Sequence, residues 1–213
     1  MNKNQFNKNK INIFLQARSD SKRLPFKSLL PINGIPLVVL CARRLMGKNY
    51  RVTVLTSENK SDDYLVTILK KYKVNFFRGS LNNVYDRYLE CSKKLNLEDI
   101  IIRATADNPF VNHSFINEVL YEFKKFNYDY KGVDHVIQNL PYGMSVEIFK
   151  KKLLIKYKNR LSKISKEHVT TFLKKHDNKK VIKSIKLKNN LSKLSCTVDT
   201  FEDYKKKFFI FSK

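Results

Sequence analysis

The chain has 213 residues, 42% of them hydrophobic, which is enough to bury one sizeable core and makes a single domain the expectation. Its formal charge of +24 would suit a nucleic-acid partner, yet only 9 of the 43 basic residues are Arg and Lys travels with Asn ("MNKNQFNKNK", "KKHDNKK", "KLKNN"), as an AT-rich genome produces on any solvated surface. Cys41, Cys91 and Cys196 are too scattered for a disulfide framework or a zinc site, no apolar run reaches membrane-spanning length, and no signal-peptide core follows the start, so a soluble cytoplasmic protein is expected.

In chain order, residues 1–10 read as a disordered tail and 11–213 as the folded unit. "INIFLQA" (11–17) is a continuous apolar run of the kind that forms a strand buried on both faces. The next stretch, "LQARSDSKRLPFKSLLPINGIPL" (15–37), is rich in cationic donors. Arg18, Arg23 and Lys27 recur at intervals of five and four, with Ser19 and Ser21 between them. Neither a G-x-G-x-x-G turn nor a P-loop is present. Guanidinium forks and a Lys point charge are what a polyphosphate requires, whereas a solvated basic loop is the plainer alternative.

"YRVTVLT" (50–56), "VNFF" (74–77) and "DIIIRATA" (99–106) are further strand runs, separated by helical patterns. In "NNVYDRYLECSKKL", Val84, Tyr88, Cys91 and Leu95 fall on one helical face. Strands alternating with crossover-length helices predict an α/β fold whose mixed, mostly parallel sheet carries helices on both faces. Asp107 follows the fourth run, and Pro109 stops further pairing, which places its carboxylate at the carboxyl edge of a central strand. Open α/β sheets bind ligands at that edge.

The rhythm changes over 130–180, an excursion from the sheet. "GMSVEIF" (143–149) alternates like an exposed antiparallel strand, helical stretches follow at about 150–161 and 166–176, and "KVIKSIKLK" (180–188) is strand-like. In "SCTVDTFEDY", Asp199 follows a short β-type run and precedes a helix for which Thr200 is the N-cap and Asp203 the third helical residue. Two hard oxygen ligands from different strand ends, Asp107 and Asp199, facing a cationic loop suit Mg²⁺ bridging phosphate oxygens. Either Asp alone is more often a cap or turn residue, and it is the arrangement as a whole that points to a metal.

These motifs together resemble the cytidylyltransferases that make CMP-activated acidic sugars, the CMP-Kdo and acylneuraminate synthetases, and above all their SpsF-like relatives of polysaccharide biosynthesis. "QARSDSKRLPFKSLLPINGIPLV", "FRGSLNNVYDRYLECSKKL", "IIIRATADNPFV", "YGMSVEIF", "KEHVTTF" and "TVDTFEDY" occur in that family's order across residues 11–204. The resemblance implies a nucleotide-diphospho-sugar transferase (GT-A-like) fold, with 130–180 serving dimerisation and acceptor binding. It implies that Arg18, Arg23 and Lys27 hold the CTP triphosphate, helped by backbone amides from Ala17 to Ser21, and that Asp107 and Asp199 hold Mg²⁺. It places Arg78, Gly79, Ser80, Asp86 and Arg87 along the nucleotide side, and Tyr142, Glu147 and His168 on the acceptor side. Asp86 and Arg87 otherwise read as an exposed helical pair, and His168 as a structural histidine.

The implied reaction is in-line attack of an acceptor oxygen on the α-phosphorus of CTP with loss of pyrophosphate, in a homodimeric enzyme with no specific nucleic-acid partner. Two departures from the family pattern stand out. Phe26 occupies a position where Gly is usual, where its ring would crowd the loop or form a partial lid, and the chain continues only to Lys213 after the last motif. A sugar-nucleotide-dependent glycosyltransferase on the same fold lacks its D-x-D motif here, since "ADN" stands in that place. A non-enzymatic nucleic-acid binder is the third reading of the basic surface.

Overall fold

The computed structural model describes residues 10–160, 168–176 and 182–211. The apolar runs become strands as their β-branched composition dictates: β1 (Ile11–Gln16), β4 (Tyr50–Ser57), β5 (Phe76–Gly79) and β6 (Ile100–Thr105), with a small hairpin of β2 (Pro31–Ile32) and β3 (Ile35–Pro36) after the first. β7 (Tyr130–Gly132) and β8 (Glu147–Lys150) complete a six-stranded sheet in the order β5-β4-β1-β6-β8-β7. The β5-β4, β4-β1 and β1-β6 pairings are parallel, whereas β8 runs antiparallel to both β6 and β7. The sheet is thus mixed and mostly parallel.

Alternation along each strand feeds two cores. Ile11, Ile13 and Leu15 of β1, with Ile100 and Ile102 of β6, pack with α1 (Leu37–Leu45), α2 (Asp63–Lys71) and α4 (His113–Lys125). Phe14 and Ile101 face the other way, toward α3 (Val84–Cys91) and α5 (Lys151–Tyr157). The stripe expected on α3 holds: Val84 and Tyr88 are buried, and Cys91 and Leu95 pack at the edge of the same cluster. Full burial of side chains of this size stabilises by about 1.5–3 kcal/mol each.

Chain order sets the position of the site. From β1 the chain goes to β4 and β5 on one side, then returns to β6 on the other, so the β1/β6 boundary is a topological switch point. Gln16 pairs with both Leu55 and Thr105, and the loops after β1, β4 and β6 therefore leave from one edge.

Several expectations are corrected. "GMSVEIF" contributes an antiparallel strand only over Glu147–Lys150, and that strand is buried, because it lies between β6 and β7 with α5 packed on its face. "KVIKSIKLK" forms no strand among its described residues. Lys183–Ile185 is a 3-10 turn, since Ile182 and Ile185, three apart, both drop into the core. Residues 196–198 run extended without a strand, tied by Val198 N–H to Asp107 C=O at 2.8 Å and by a bridge between Tyr142 and Ser195. The helical stretch at 150–161 is α5 followed by a 3-10 turn at Lys158–Arg160, and Thr171–His176 is 3-10. Residues 161–167, and the tail expected at 1–10 apart from Lys10, lie outside the described residues.

Candidate active site

At the switch point a cleft of about 350 Å³ opens between the loops that follow β1 and β6. Its lining brings together Arg18, Lys22, Arg23, Lys27 and Arg87 against two carboxylates, Asp107 and Asp199. Ala17, Ser21 and His168 also face it. Its volume suits a small ligand and its charge suits an anion.

The loop after β1 is shaped by its own backbone. Ser19 C=O accepts the amides of Ser21 at 3.0 Å and Phe26 at 2.9 Å, so the chain from 19 to 26 closes on itself. Phe26 then takes φ 57° and ψ 20°, a left-handed turn that starts the 3-10 segment Lys27–Leu29. That turn explains why Gly suits this position. The Phe26 ring is 51% exposed and is not among the residues lining the cleft, so it neither crowds nor covers it.

Lys27 re-enters the cleft and donates from Nζ to Asp107 Oδ2 at 3.0 Å and to Asp199 Oδ1 at 2.8 Å. An Arg23 guanidinium nitrogen lies 2.9 Å from the same Asp199 oxygen. Burial pushes the Asp199 carboxyl up, but Lys27, Arg23 and the Thr197 hydroxyl outweigh it and hold the group below the usual carboxylate range. Asp107 Oδ1 is buried with no hydrogen-bond partner.

Each carboxylate has a local support. Asn108 accepts the Phe110 amide at 2.9 Å and donates to Gly143 C=O, which fixes the turn after Asp107. Gly143 has φ +92°, and a Cβ there would overlap Thr197, so only glycine lets this turn approach the strand-like segment bearing Asp199. Beyond Asp199, α6 (Phe201–Phe211) opens with the expected capping box. Thr200 Oγ1 accepts the Asp203 amide at 3.1 Å, and Asp203 Oδ2 accepts the amides of Thr200 at 3.0 Å and Asp199 at 3.2 Å.

Other expected site residues lie elsewhere. Ser19 is buried and outside the cleft lining, and the amides of Ala17, Ser19 and Ser21 already donate to Leu55 C=O, Asp62 and Ser19 C=O. Arg78, Gly79 and Ser80 do not line the cleft either. Arg78 donates to Ser57 C=O at 2.9 Å and Asn59 C=O at 3.1 Å, and pairs with Asp63 at 2.7 Å. Asp86 is exposed and bonded to Asn83, whereas Arg87 is buried, lines the cleft and clasps Ser80 C=O. The pair is therefore not an exposed one.

A second cavity of about 720 Å³ adjoins the first, sharing Thr105. It holds Glu147, whose carboxylate accepts from Arg103 at 2.6 Å, Tyr130 at 2.8 Å and Thr170 at 2.7 Å. Burial pushes that carboxyl up, but the Arg103 charge and these three bonds hold it below the usual range. Arg103 also donates to Gln16, at 3.2 Å, and so links the two cavities. Lys131, His135 and Lys174 line the same space. His168 faces the first cavity, and Tyr142 lines neither, its ring lying edge-on to His135. Lys22, Ser28 and Arg103 were not anticipated from sequence. The first two sit inside the quoted basic stretch, and Arg103 breaks an apolar run on a central strand, a signal in itself.

Residues 13–212 match the family described as Cytidylyltransferase. The chain belongs to the cytidylyltransferase family. It is accordingly an enzyme. The spore coat polysaccharide biosynthesis protein SpsF of Bacillus subtilis is 28% identical over 208 residues, which is 92% of this chain and 84% of that protein. The 3-deoxy-manno-octulosonate cytidylyltransferase 2 of Hydrogenovibrio crunogenus is 29% identical over 121 residues, 55% of this chain and 48% of that enzyme. Among solved structures, a cytidylyltransferase from Leptospira borgpetersenii is 30% identical with a TM-score of 0.78, covering 92% of this chain and 84% of that one. The sequence resemblance and the nucleotidyltransferase-type fold are thereby shown.

Proposed function

We propose that the enzyme transfers CMP from CTP to a small anionic acceptor, a sugar acid, in surface polysaccharide or glycoconjugate biosynthesis. The observation that carries this reading is the convergence of Lys27 on Asp107 and Asp199 inside a cleft lined by five cationic side chains. Such a cleft offers a triphosphate both charge and fixed geometry.

The donor set fits a divalent cation. Asp107 Oδ1 is a buried oxygen without a partner, and both carboxylates already share one cationic group, Lys27 Nζ. The cleft offers two carboxylates, the number by which Mg²⁺ is commonly held with substrate phosphates completing the shell. Asp107 and Asp199 would hold the ion, which when bound supplies charge neutralisation on the phosphate oxygens. Arg18, Arg23 and Lys27 bind and orient the triphosphate, so that the acceptor oxygen meets the α-phosphorus in line and pyrophosphate departs toward the cationic loop.

The second cavity is the place for the acceptor, because it meets the first at Thr105. Arg103, Lys131 and Lys174 outnumber the two carboxylates of that cavity, Glu147 and Asp134, a balance of charge that favours an anion over a cation there. The names of the Bacillus and Hydrogenovibrio relatives support a sugar acid and a polysaccharide pathway. Among the described residues no helix is long and apolar enough to cross a membrane, which fits a cytoplasmic site of action. Exposed Val136, Tyr142 and Leu194 in and beside the 130–180 excursion support a homodimer.

The test is pyrophosphate release from CTP and Mg²⁺ over a panel of sugar acids with neutral sugars as controls. Release with at least one acid and none with its neutral counterpart is expected. Turnover of neutral sugars alone would refute the acceptor class.

A further inference from the structure

Outside the cleft, Asp62 is a fully buried carboxylate that the reaction does not use. Its Oδ1 accepts the Ser19 amide at 2.7 Å, across 43 residues of sequence. Its Oδ2 accepts the Thr56 hydroxyl at 2.8 Å, the Ser57 amide at 2.9 Å and the Ser57 hydroxyl. Burial would push this carboxyl up, yet the four donors hold it below its ordinary value, so the bond to Ser19 is charge-assisted.

Ser19 is the residue on which the cationic loop turns. Its N–H is fixed by Asp62, and its C=O takes the amides of Ser21 and Phe26, which closes the loop and returns Lys27 to the two aspartates. With Ser19 drawn inward, its neighbours Arg18 and Asp20 are exposed on either side. Arg78 braces the segment that carries Asp62, through Ser57 C=O, Asn59 C=O and Asp63, from outside the cleft.

We propose that Asp62 is a positioning residue for the nucleotide, setting the loop of Arg18, Arg23 and Lys27 through the Ser19 amide, with Arg78 as its outer brace. This rests on the nucleotide reading of the cleft. It also gives Arg78 a part in nucleotide binding without contact.

Calorimetric titration of CTP with Mg²⁺ tests it in Asp62→Asn, Arg78→Ala and Thr56→Val, with thermal unfolding measured alongside. Asn cannot accept from both sides of this site, so Asp62→Asn should lose about tenfold or more in CTP affinity. Arg78→Ala should lose about threefold to tenfold, and both should raise KM for CTP more than they lower kcat. Thr56→Val removes one bond to the same carboxylate but leaves the Ser19 bond, and should lower stability while keeping CTP affinity. If Asp62→Asn does not fold, Arg78→Ala decides alone. Folded variants that bind CTP within twofold of wild type overturn the proposal, as does an equal loss in Thr56→Val. A folded wild type that binds no CTP overturns the nucleotide reading itself.

Discussion

Phe26 shows how a single backbone angle accounts for a departure in sequence. A side chain at φ 57° costs about 1–2 kcal/mol relative to the right-handed region, and the exposed ring recovers little of this through packing. Phe26→Gly removes that strain, while the greater freedom of glycine in the unfolded chain takes back roughly 0.5–1 kcal/mol. The variant should therefore be slightly more stable, with a midpoint up to about 4 °C higher by thermal denaturation. A lower midpoint would mean that the ring makes contacts worth more than the strain. The same scale explains what sequence misses. Asp62 reads as an ordinary acid at the start of α2, favoured there by the helix dipole, and nothing local signals a partner 43 residues away. Its motif puts Arg78 on the nucleotide side by expectation, yet the side chain turns away from the cleft to Ser57, Asn59 and Asp63, a direction no motif specifies.

At the scale of elements, the strands of the parallel half were legible because burial on both faces demands continuous apolar runs. The excursion was harder. Its Lys-rich segments alternate by composition as much as by structure, and Ile182 and Ile185 satisfy a 3-10 turn as well as a strand. The capping box was legible because its chemistry is local, and it also fixes the backbone at the proposed metal ligand: Asp203 holds the amides of both Thr200 and Asp199. Thr200→Ala should cost about 1 kcal/mol and lower the unfolding midpoint by about 2–4 °C, with Thr200→Ser close to wild type. An unchanged midpoint in Thr200→Ala would show that α6 is held by packing, through Tyr204 and Phe211, rather than by its cap.

Across the whole molecule, the charge of +24 misleads if taken as a signature, because most of it is dispersed Lys. What matters is where topology gathers charge. The switch between β1 and β6 brings one loop's cations to two aspartates 92 residues apart in sequence, and family membership removes the glycosyltransferase and nucleic-acid-binder readings in favour of cytidylyl transfer. Spacing alone could not show that Lys27 bridges both carboxylates, because contacts distant in sequence, the Val198 N–H to Asp107 C=O bond and the close approach of Gly143 to Thr197, bring Asp107 and Asp199 together. The most direct test of the account is calorimetric binding of CTP, against ATP, GTP and UTP, with and without Mg²⁺, to the wild type and to Asp107→Ala. The account predicts binding selective for CTP, strengthened by Mg²⁺ in the wild type and insensitive to it in the variant. Equal binding of all four nucleotides, or a Mg²⁺ response that survives in Asp107→Ala, would contradict it.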